Sequence, residues 1–208
     1  MIIGRTSIFA ETRSNINTLT KQKYYFISHT TRDFILKNKI CSLPINLNNI
    51  IHQNKWKVIK YSKLKCLDIY EYNQLMKLNL GFSELTQKKE YFIFYNDDQP
   101  IEVQRFTIAH EIGHIIFNHF NSPSENREQE ANMFAARLLM PMCVLHECKI
   151  ENELELMELC NVSSISAHYR FERLQLLNNR NKFYTDKNEI EVIKAFEKFV
   201  NKYLESKK

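Results

Sequence analysis

The pattern His-Glu-Ile-Gly-His at residues 110–114 constrains this chain more than any other feature. In a helix, residues four apart lie on one face, so His110 and His114 can bind one metal ion together. Glu111 lies beside them, within reach of a water molecule held by that ion. The spacing therefore predicts a Zn²⁺ site with two histidine ligands and Glu111 as the catalytic base.

The residues around this pattern are strongly apolar, so its helix is expected to be largely buried: Phe106, Ile108, Ile112, Ile115, Ile116 and Phe117. The alternative is an amphipathic helix with two ordinary core or solvated histidines, but a neutral histidine pair is hard to bury without a partner. Gly113 costs about 1 kcal/mol relative to alanine inside a helix. It therefore indicates the close approach of another backbone.

A second helix is predicted after the capping sequence Ser122-Pro123-Ser124-Glu125, and it should end before Pro141. Small residues on one face, Ala131 and Ala135, would let it approach the first helix closely. From the same face Glu128 can supply a third metal ligand. Asn132 can hold the spare ring nitrogen of His110 or His114.

Two stretches, Arg105–His114 and Glu128–Pro141, resemble the ImmA/IrrE family of zinc metallopeptidases. The Glu-x-x-Ala-Asn element from Glu128 is also similar to an element of gluzincin peptidases such as thermolysin. The resemblance implies that Glu128, rather than Glu130, is the third ligand. It implies Zn²⁺ as the cofactor, with another divalent ion such as Mn²⁺ as the alternative.

The resemblance also implies an α+β fold, a mainly helical zincin-like domain with a small sheet beside the His-Glu-x-x-His helix. Three parts are expected: a polar leader (1–27), the metallopeptidase domain (28–178) and a C-terminal amphipathic helix (179–208). Helices are predicted over 24–40, from Leu47, over 147–160, 161–177 and 187–205. Strands are predicted over 56–61 and 90–96, and residues 64–80 are ambiguous.

The predicted strand over 90–96 has two interpretations. It is either a sheet edge that pairs with an extended substrate, with Tyr95 and Asn96 as substrate contacts, or an ordinary buried strand. Candidates for stabilising the oxyanion, by residue type alone, are Tyr95, His168 and Tyr169. His119 follows His114 by five residues and is predicted to be a surface histidine off the ligand face.

The implied function is site-specific cleavage of a helix-turn-helix transcriptional repressor on a separate chain, as in control of a mobile element, prophage, toxin–antitoxin pair or stress response. Two alternatives remain open: a metal-binding regulator that acts on a repressor by contact, and a DNA-binding protein using residues 155–178. An intact Glu111 argues against contact alone. Few residues in 155–178 suit base or phosphate contacts, namely His168, Arg170 and Arg173, so direct nucleic-acid binding is not expected.

Composition is ordinary for a soluble globular protein, with 44% hydrophobic and 25% charged residues among 208. Residues 1–60 carry ten Lys and Arg against two Asp and Glu. Because these charges are dispersed, they favour solvated surface over the alternative, a basic arm that meets an acidic partner or nucleic acid. The five cysteines show no paired spacing and are expected to be reduced thiols. Without a signal peptide or membrane span, the expected location is cytoplasmic, with no membrane contact.

Overall fold

The computed structural model describes residues 20–64, 69–78, 80–120, 125–184 and 186–207. Helices form most of this part of the chain and accompany a three-stranded sheet, so the predicted α+β class is confirmed. The strands are β1 (Lys57–Lys60), β2 (Gly81–Leu85) and β3 (Tyr91–Tyr95). The helices are α1 (Lys21–Lys37), α2 (Leu47–Gln53), α3 (Ile69–Leu78), α4 (Ile101–Ile116), α5 (Glu125–Leu139), α6 (Met142–Glu147), α7 (Glu153–Cys160), α8 (Ser164–Asn179) and α9 (Lys187–Ser206).

Contacts divide the described chain into two compact units. The first holds Leu47–Ala135, and the second holds Gln22–Asn46 and the described residues from Ala136 to 207. The sheet and helices α2 to α4 therefore belong to the first unit, and helices α6 to α9 to the second. The three-part division expected from the sequence stays a prediction.

The sheet has the strand order β1-β3-β2. Strand β1 pairs with β3 in parallel, with Val58 beside Ile93, and β2 pairs with β3 antiparallel, with Ser83 beside Ile93. Of the two interpretations of this strand, the free sheet edge is therefore wrong, because the backbone of β3 is paired on both sides. The strand at the antiparallel edge of the sheet is β2, and the sequence analysis did not predict this strand.

Helix α4 packs on β2 and β3 in the first unit. A Cβ atom at Gly81 would lie 2.4 Å from Cγ2 of Thr107 and 2.8 Å from the carbonyl oxygen of Phe94, so only glycine fits there. The turn before α4 is held by Gln104, whose amide donates to the carbonyls of Asp97 and Gln99 at 3.1 and 2.7 Å. These contacts fix α4 against the sheet.

In the second unit, α7 and α8 pack together, and each has an N-cap side chain that accepts a backbone hydrogen bond. Arg170 of α8 donates to the Met140 carbonyl at 2.8 and 2.5 Å. His168 Nδ1 lies 2.9 Å from a carboxylate oxygen of Glu153. Two of the three side chains suited to nucleic-acid contacts are thus engaged within this unit.

Several element boundaries differ from those predicted. Helix α1 begins at Lys21, three residues before the predicted start. The helix predicted over 147–160 ends at Cys160 as expected but begins later, at Glu153: α6 ends at Glu147, Lys149 has a left-handed φ of 52°, and Asn152 caps α7. The predicted cap at Ser122-Pro123-Ser124 and residues 1–19 of the leader lie outside the described residues.

No helix in the described part of the chain is long and apolar enough to cross a membrane. The described cysteines are free thiols, and they are Cys41, Cys143, Cys148 and Cys160. Cys66 lies outside the described residues.

Candidate metal centre

Three polar side chains of α4 lie in the buried interior of the first unit. His110, Glu111 and His114 are 6%, 4% and 1% exposed. The apolar flanks of the pattern explain this burial, since Phe106 and Ile112 on the same helix are also buried. Solvated histidines, one of the alternatives left open by the sequence, are therefore excluded.

Helix α5 brings Glu128 to these histidines. The Nε2 atoms of His110 and His114 lie 2.9 Å apart, and the Glu128 carboxylate lies 3.2 Å from the first and 3.5 Å from the second. One possible ligand atom from each residue lies within 4.8 Å of the others. The structure thus brings Glu128, and not Glu130, into this cluster.

The donor set and its spacing fit a catalytic zinc ion. Two atoms each about 2.0–2.1 Å from one tetrahedral Zn²⁺ are themselves roughly 3.3–3.4 Å apart. The observed separations of 2.9, 3.2 and 3.5 Å lie around this value. Two imidazoles and one carboxylate also leave a fourth coordination position open. The three residues therefore form a candidate metal centre.

A glycine lets the two helices approach each other here. A Cβ atom at Gly113 would lie 3.0 Å from Cα of Ala131 and 3.2 Å from its carbonyl oxygen. Ala131 and Ala135 are fully buried. The predicted close backbone approach is thus confirmed, and it brings Glu128 and Asn132, on the same helix, to α4.

Asn132 orients the first candidate ligand. Its Oδ1 atom lies 2.8 Å from Nδ1 of His110. A neutral imidazole that donates from Nδ1 keeps its lone pair on Nε2. Because Nε2 is the atom that faces Glu128 and His114, the amide oxygen selects the tautomer that a metal requires.

His119 contacts the second candidate ligand, contrary to the prediction of a surface histidine. It is 4% exposed, and its Nδ1 atom lies 3.1 Å from Nδ1 of His114. The C-terminus of α4 explains this position. Asn118 has a left-handed φ of 54°, Asn118 N–H bonds to Ile115 O, and His119 N–H bonds to His114 O. This Schellman motif reverses the chain and brings the His119 ring onto His114.

Glu130 completes a chain of polar contacts behind His114. Its carboxylate is buried and lies 3.2 Å from Nε2 of His119. With His114 donating from Nδ1 to His119, and His119 donating from Nε2 to Glu130, every N–H points away from the ligand atoms. Sequence reasoning missed this His114–His119–Glu130 chain. The signal that could have revealed it is Asn118, a residue that ends helices readily.

The pKa of His119 agrees with its role as an acceptor. Burial, together with the neighbouring His114, lowers the pKa of His119 to about 4, so this ring is neutral at pH 7. Burial raises the pKa of Glu128, but its contacts with the His110 and His114 rings lower that pKa more, well below the ordinary value. The cluster thus presents a charged carboxylate to a cation.

Glu111 has a carboxylate oxygen without a partner. Its Oε2 atom is buried and has no hydrogen bond within the described residues, and the same holds for Tyr61 Oη and Ser83 Oγ. Burial and the charge of Glu111 raise the pKa of Tyr61, which keeps its hydroxyl protonated. Buried polar atoms are rarely unpaired, so these atoms indicate positions where water or substrate supplies a partner. Nothing in the sequence singled out Tyr61 or Ser83.

The other predicted site residues lie in different surroundings. Tyr95 and Asn96 are buried, and the Asn96 amide donates to Met76 O at 3.4 Å while its oxygen accepts from Asp98 N–H at 2.9 Å. Their role as substrate contacts stays a prediction. Tyr169 is exposed, and no contact assigns a role in oxyanion stabilisation to Tyr169 or His168.

Comparison with known proteins agrees with this geometry. The family model Peptidase_M78, described as the IrrE N-terminal-like domain, matches residues 71–172, which include every member of the candidate centre. Residues 71–172 thus form a domain of this peptidase family, the ImmA/IrrE family that the motifs of the chain resemble. No curated protein matches the chain.

Proposed function

We propose that this protein is a zinc-dependent endopeptidase. The observation that supports this most directly is the convergence of His110, His114 and Glu128 beside a buried Glu111 oxygen that has no partner among the described residues. Contact with a partner would need no such carboxylate, so the geometry favours hydrolysis over regulation by contact alone. Location in the cytoplasm forms part of the same proposal.

The chemistry follows from the side chains of this chain. When bound, Zn²⁺ polarises a peptide carbonyl and lowers the pKa of a water molecule. Glu111 removes a proton from the attacking water and transfers it to the nitrogen of the leaving amine. Asn132 and His119 keep the two imidazoles in the tautomer that leaves each Nε2 lone pair free.

The edge strand β2 is where the substrate backbone would pair. It is the antiparallel edge of the sheet, and its first residue, Gly81, lies close to α4. A Cβ atom at Gly81 would be 3.7 Å from Cγ of Glu111, so the strand begins beside the proposed base. Addition of an extended peptide to such an edge is a common recognition mode. This assigns to β2 the role that the sequence suggested for β3.

The proposed substrate is a helix-turn-helix repressor on a separate chain. The family resemblance motivates this substrate. The DNA-binding alternative for this chain is weakened because Arg170 is bonded to the Met140 carbonyl. A selective substrate of this kind would also give low activity on generic peptides.

Metal content of the purified protein tests the zinc centre. We expect one zinc per chain in the wild type and in Glu111→Gln, and loss of zinc in Glu128→Gln. Glu158→Gln is the matched control, because Glu158 is exposed and undergoes the same chemical change. Glu130→Ala would not be a neutral control, since Glu130 contacts His119. A wild type without zinc, or equal zinc in Glu128→Gln, would contradict the centre.

New N-termini in extracts of the source cell test the peptidase and its substrate. Zinc-loaded wild type should cut a helix-turn-helix protein, and Glu111→Gln, which retains the metal, should cut it about 10²–10⁴-fold more slowly. If the wild type and Glu111→Gln bind an intact repressor equally well and neither cleaves it, the protein regulates the repressor by contact and not by proteolysis. Cleavage of a protein without a helix-turn-helix would retain the peptidase and replace the substrate.

A further inference from the structure

The second unit contains a small cavity lined by an unusual concentration of arginine. Its volume is about 150 Å³, and Arg32, Arg137, Arg170 and Arg173 all line it, with Lys182. These side chains come from α1, the end of α5, α8 and the segment after α8. Among the described residues, Glu189 is the only acidic one in the lining.

Carboxylates within this unit already neutralise Arg32. Arg32 forms an ion pair with Asp186 and lies 3.5 Å from a carboxylate oxygen of Glu189. Both carboxylates therefore offset the charge of this arginine.

The described partners of Arg170 and Arg173 are neutral. Arg170 donates to the Met140 carbonyl, and Arg173 donates to the Tyr24 hydroxyl at 3.3 Å. Within the described residues, neither makes an ion pair. The guanidinium of Arg137 lies 4.4 Å above the Tyr24 ring, and its Nε donates to Ser28 Oγ at 3.0 Å. Two guanidinium groups, those of Arg137 and Arg173, thus contact one phenol.

The pKa values of Tyr24 and Arg170 agree with a positive potential in the cavity. Burial raises the pKa of Tyr24, yet Arg137, Arg173 and Arg170 lower it more, so the net shift is downward. Burial also lowers the pKa of Arg170, and repulsion from Arg137 lowers it further. A negative charge in the cavity would relieve this repulsion.

We propose that this cavity binds a phosphate group, either as free phosphate or as the phosphate of a small ester. Guanidinium groups present paired N–H donors that match the oxygens of phosphate. A cavity of about 150 Å³ accepts one tetrahedral oxyanion but is well below the roughly 300–1,000 Å³ of pockets that enclose a whole drug-sized ligand. The site is independent of the peptidase proposal, since its lining excludes the residues of the metal centre.

Calorimetric titration of the full chain with inorganic phosphate, against sodium chloride at equal ionic strength, tests the site. We expect phosphate to bind to the wild type and to raise its melting temperature. Arg173→Gln should weaken phosphate binding about 10-fold or more, because it removes a charged donor. Arg180→Gln is the matched control: Arg180 lies at the end of the same helix but outside the cavity, so its variant should bind like the wild type.

A second variant keeps the site testable if Arg173→Gln does not fold. Lys182 is exposed and lines the cavity, so Lys182→Gln should fold and bind phosphate several-fold more weakly. A phosphate monoester that binds more tightly than phosphate would assign the site to esters, and weaker binding would assign it to free phosphate. No binding beyond that of chloride, equal binding by the cavity variants and the Arg180 control, or equal binding of acetate would overturn the proposal.

Discussion

Nδ1 of His119 lies 3.1 Å from Nδ1 of His114, on the edge of the His114 ring opposite the candidate ligand atom Nε2. His119 therefore holds His114 in both orientation and tautomer. We expect His119→Ala to lower zinc affinity about 10–100-fold, the usual effect of removing a hydrogen-bond partner of a ligand. Competition with a chromophoric zinc chelator measures this.

The control for this prediction is His52→Ala, because His52 is exposed on α2 and should leave zinc affinity unchanged. Glu130→Gln should lower zinc affinity less than His119→Ala does, because the amide oxygen of glutamine can still accept a hydrogen bond from His119 Nε2. Equal zinc affinities for wild type and His119→Ala would show that the contact does not orient His114.

Gly113→Ala should destabilise the fold although alanine is the better helix former. Alanine gains up to about 1 kcal/mol in helix propensity. Its Cβ, however, would lie 3.0 Å from Cα of Ala131, and moving a packed backbone costs roughly 1–3 kcal/mol. Urea unfolding should show a net loss of stability, together with weaker zinc binding. Asn201→Ala on the exposed face of α9 should be neutral or stabilising, and the same result for Gly113→Ala would contradict the close approach.

Tyr61→Phe should leave the free energy of unfolding unchanged or raise it by about 1 kcal/mol. The Tyr61 hydroxyl is buried and has no partner among the described residues, and such a group is costly to bury. Tyr203→Phe is the matched control, because that hydroxyl donates to Glu155 at 2.5 Å and its removal should destabilise by about 1 kcal/mol. Urea unfolding of both variants makes the comparison, and equal losses would show that the Tyr61 hydroxyl has a stabilising hydrogen-bond partner.

Glu155→Gln should destabilise the protein at pH 7 more than at pH 3. Burial raises the pKa of Glu155, but the Glu151 N–H, Lys207 and Tyr203 lower it more. A depressed folded-state pKa stabilises the fold above the ordinary glutamate pKa, and this stabilisation is lost as the pH falls through the folded-state value. We expect a loss of about 1–2 kcal/mol at pH 7 that shrinks in acid. Glu158→Gln, at an exposed position, should show no such pH dependence in urea unfolding.

The sequence predicted the parts of this site that depend on local geometry. The spacing of His110 and His114 determines their shared face, and Gly113 indicated a close helix neighbour. The prediction that His119 lies at the surface was wrong because it assumed that α4 continues past Ile116. The helix instead ends there, and Asn118 reverses the chain. Strand β2 was missed because its residues, Gly-Phe-Ser-Glu-Leu, lack a clear alternating pattern and become a strand through pairing with β3.

All three candidate ligands lie between His110 and Glu128, so the loop that a bound ion would close is short. Closing a short loop costs little chain entropy. Pairing of β1 with β3, in contrast, joins residues 57–60 to residues 92–95 and closes a longer loop. Contacts of low sequence separation form fastest during folding. The parts of α4 and α5 around the centre are therefore a local structure that can form, and that could bind an ion, before the sheet is complete.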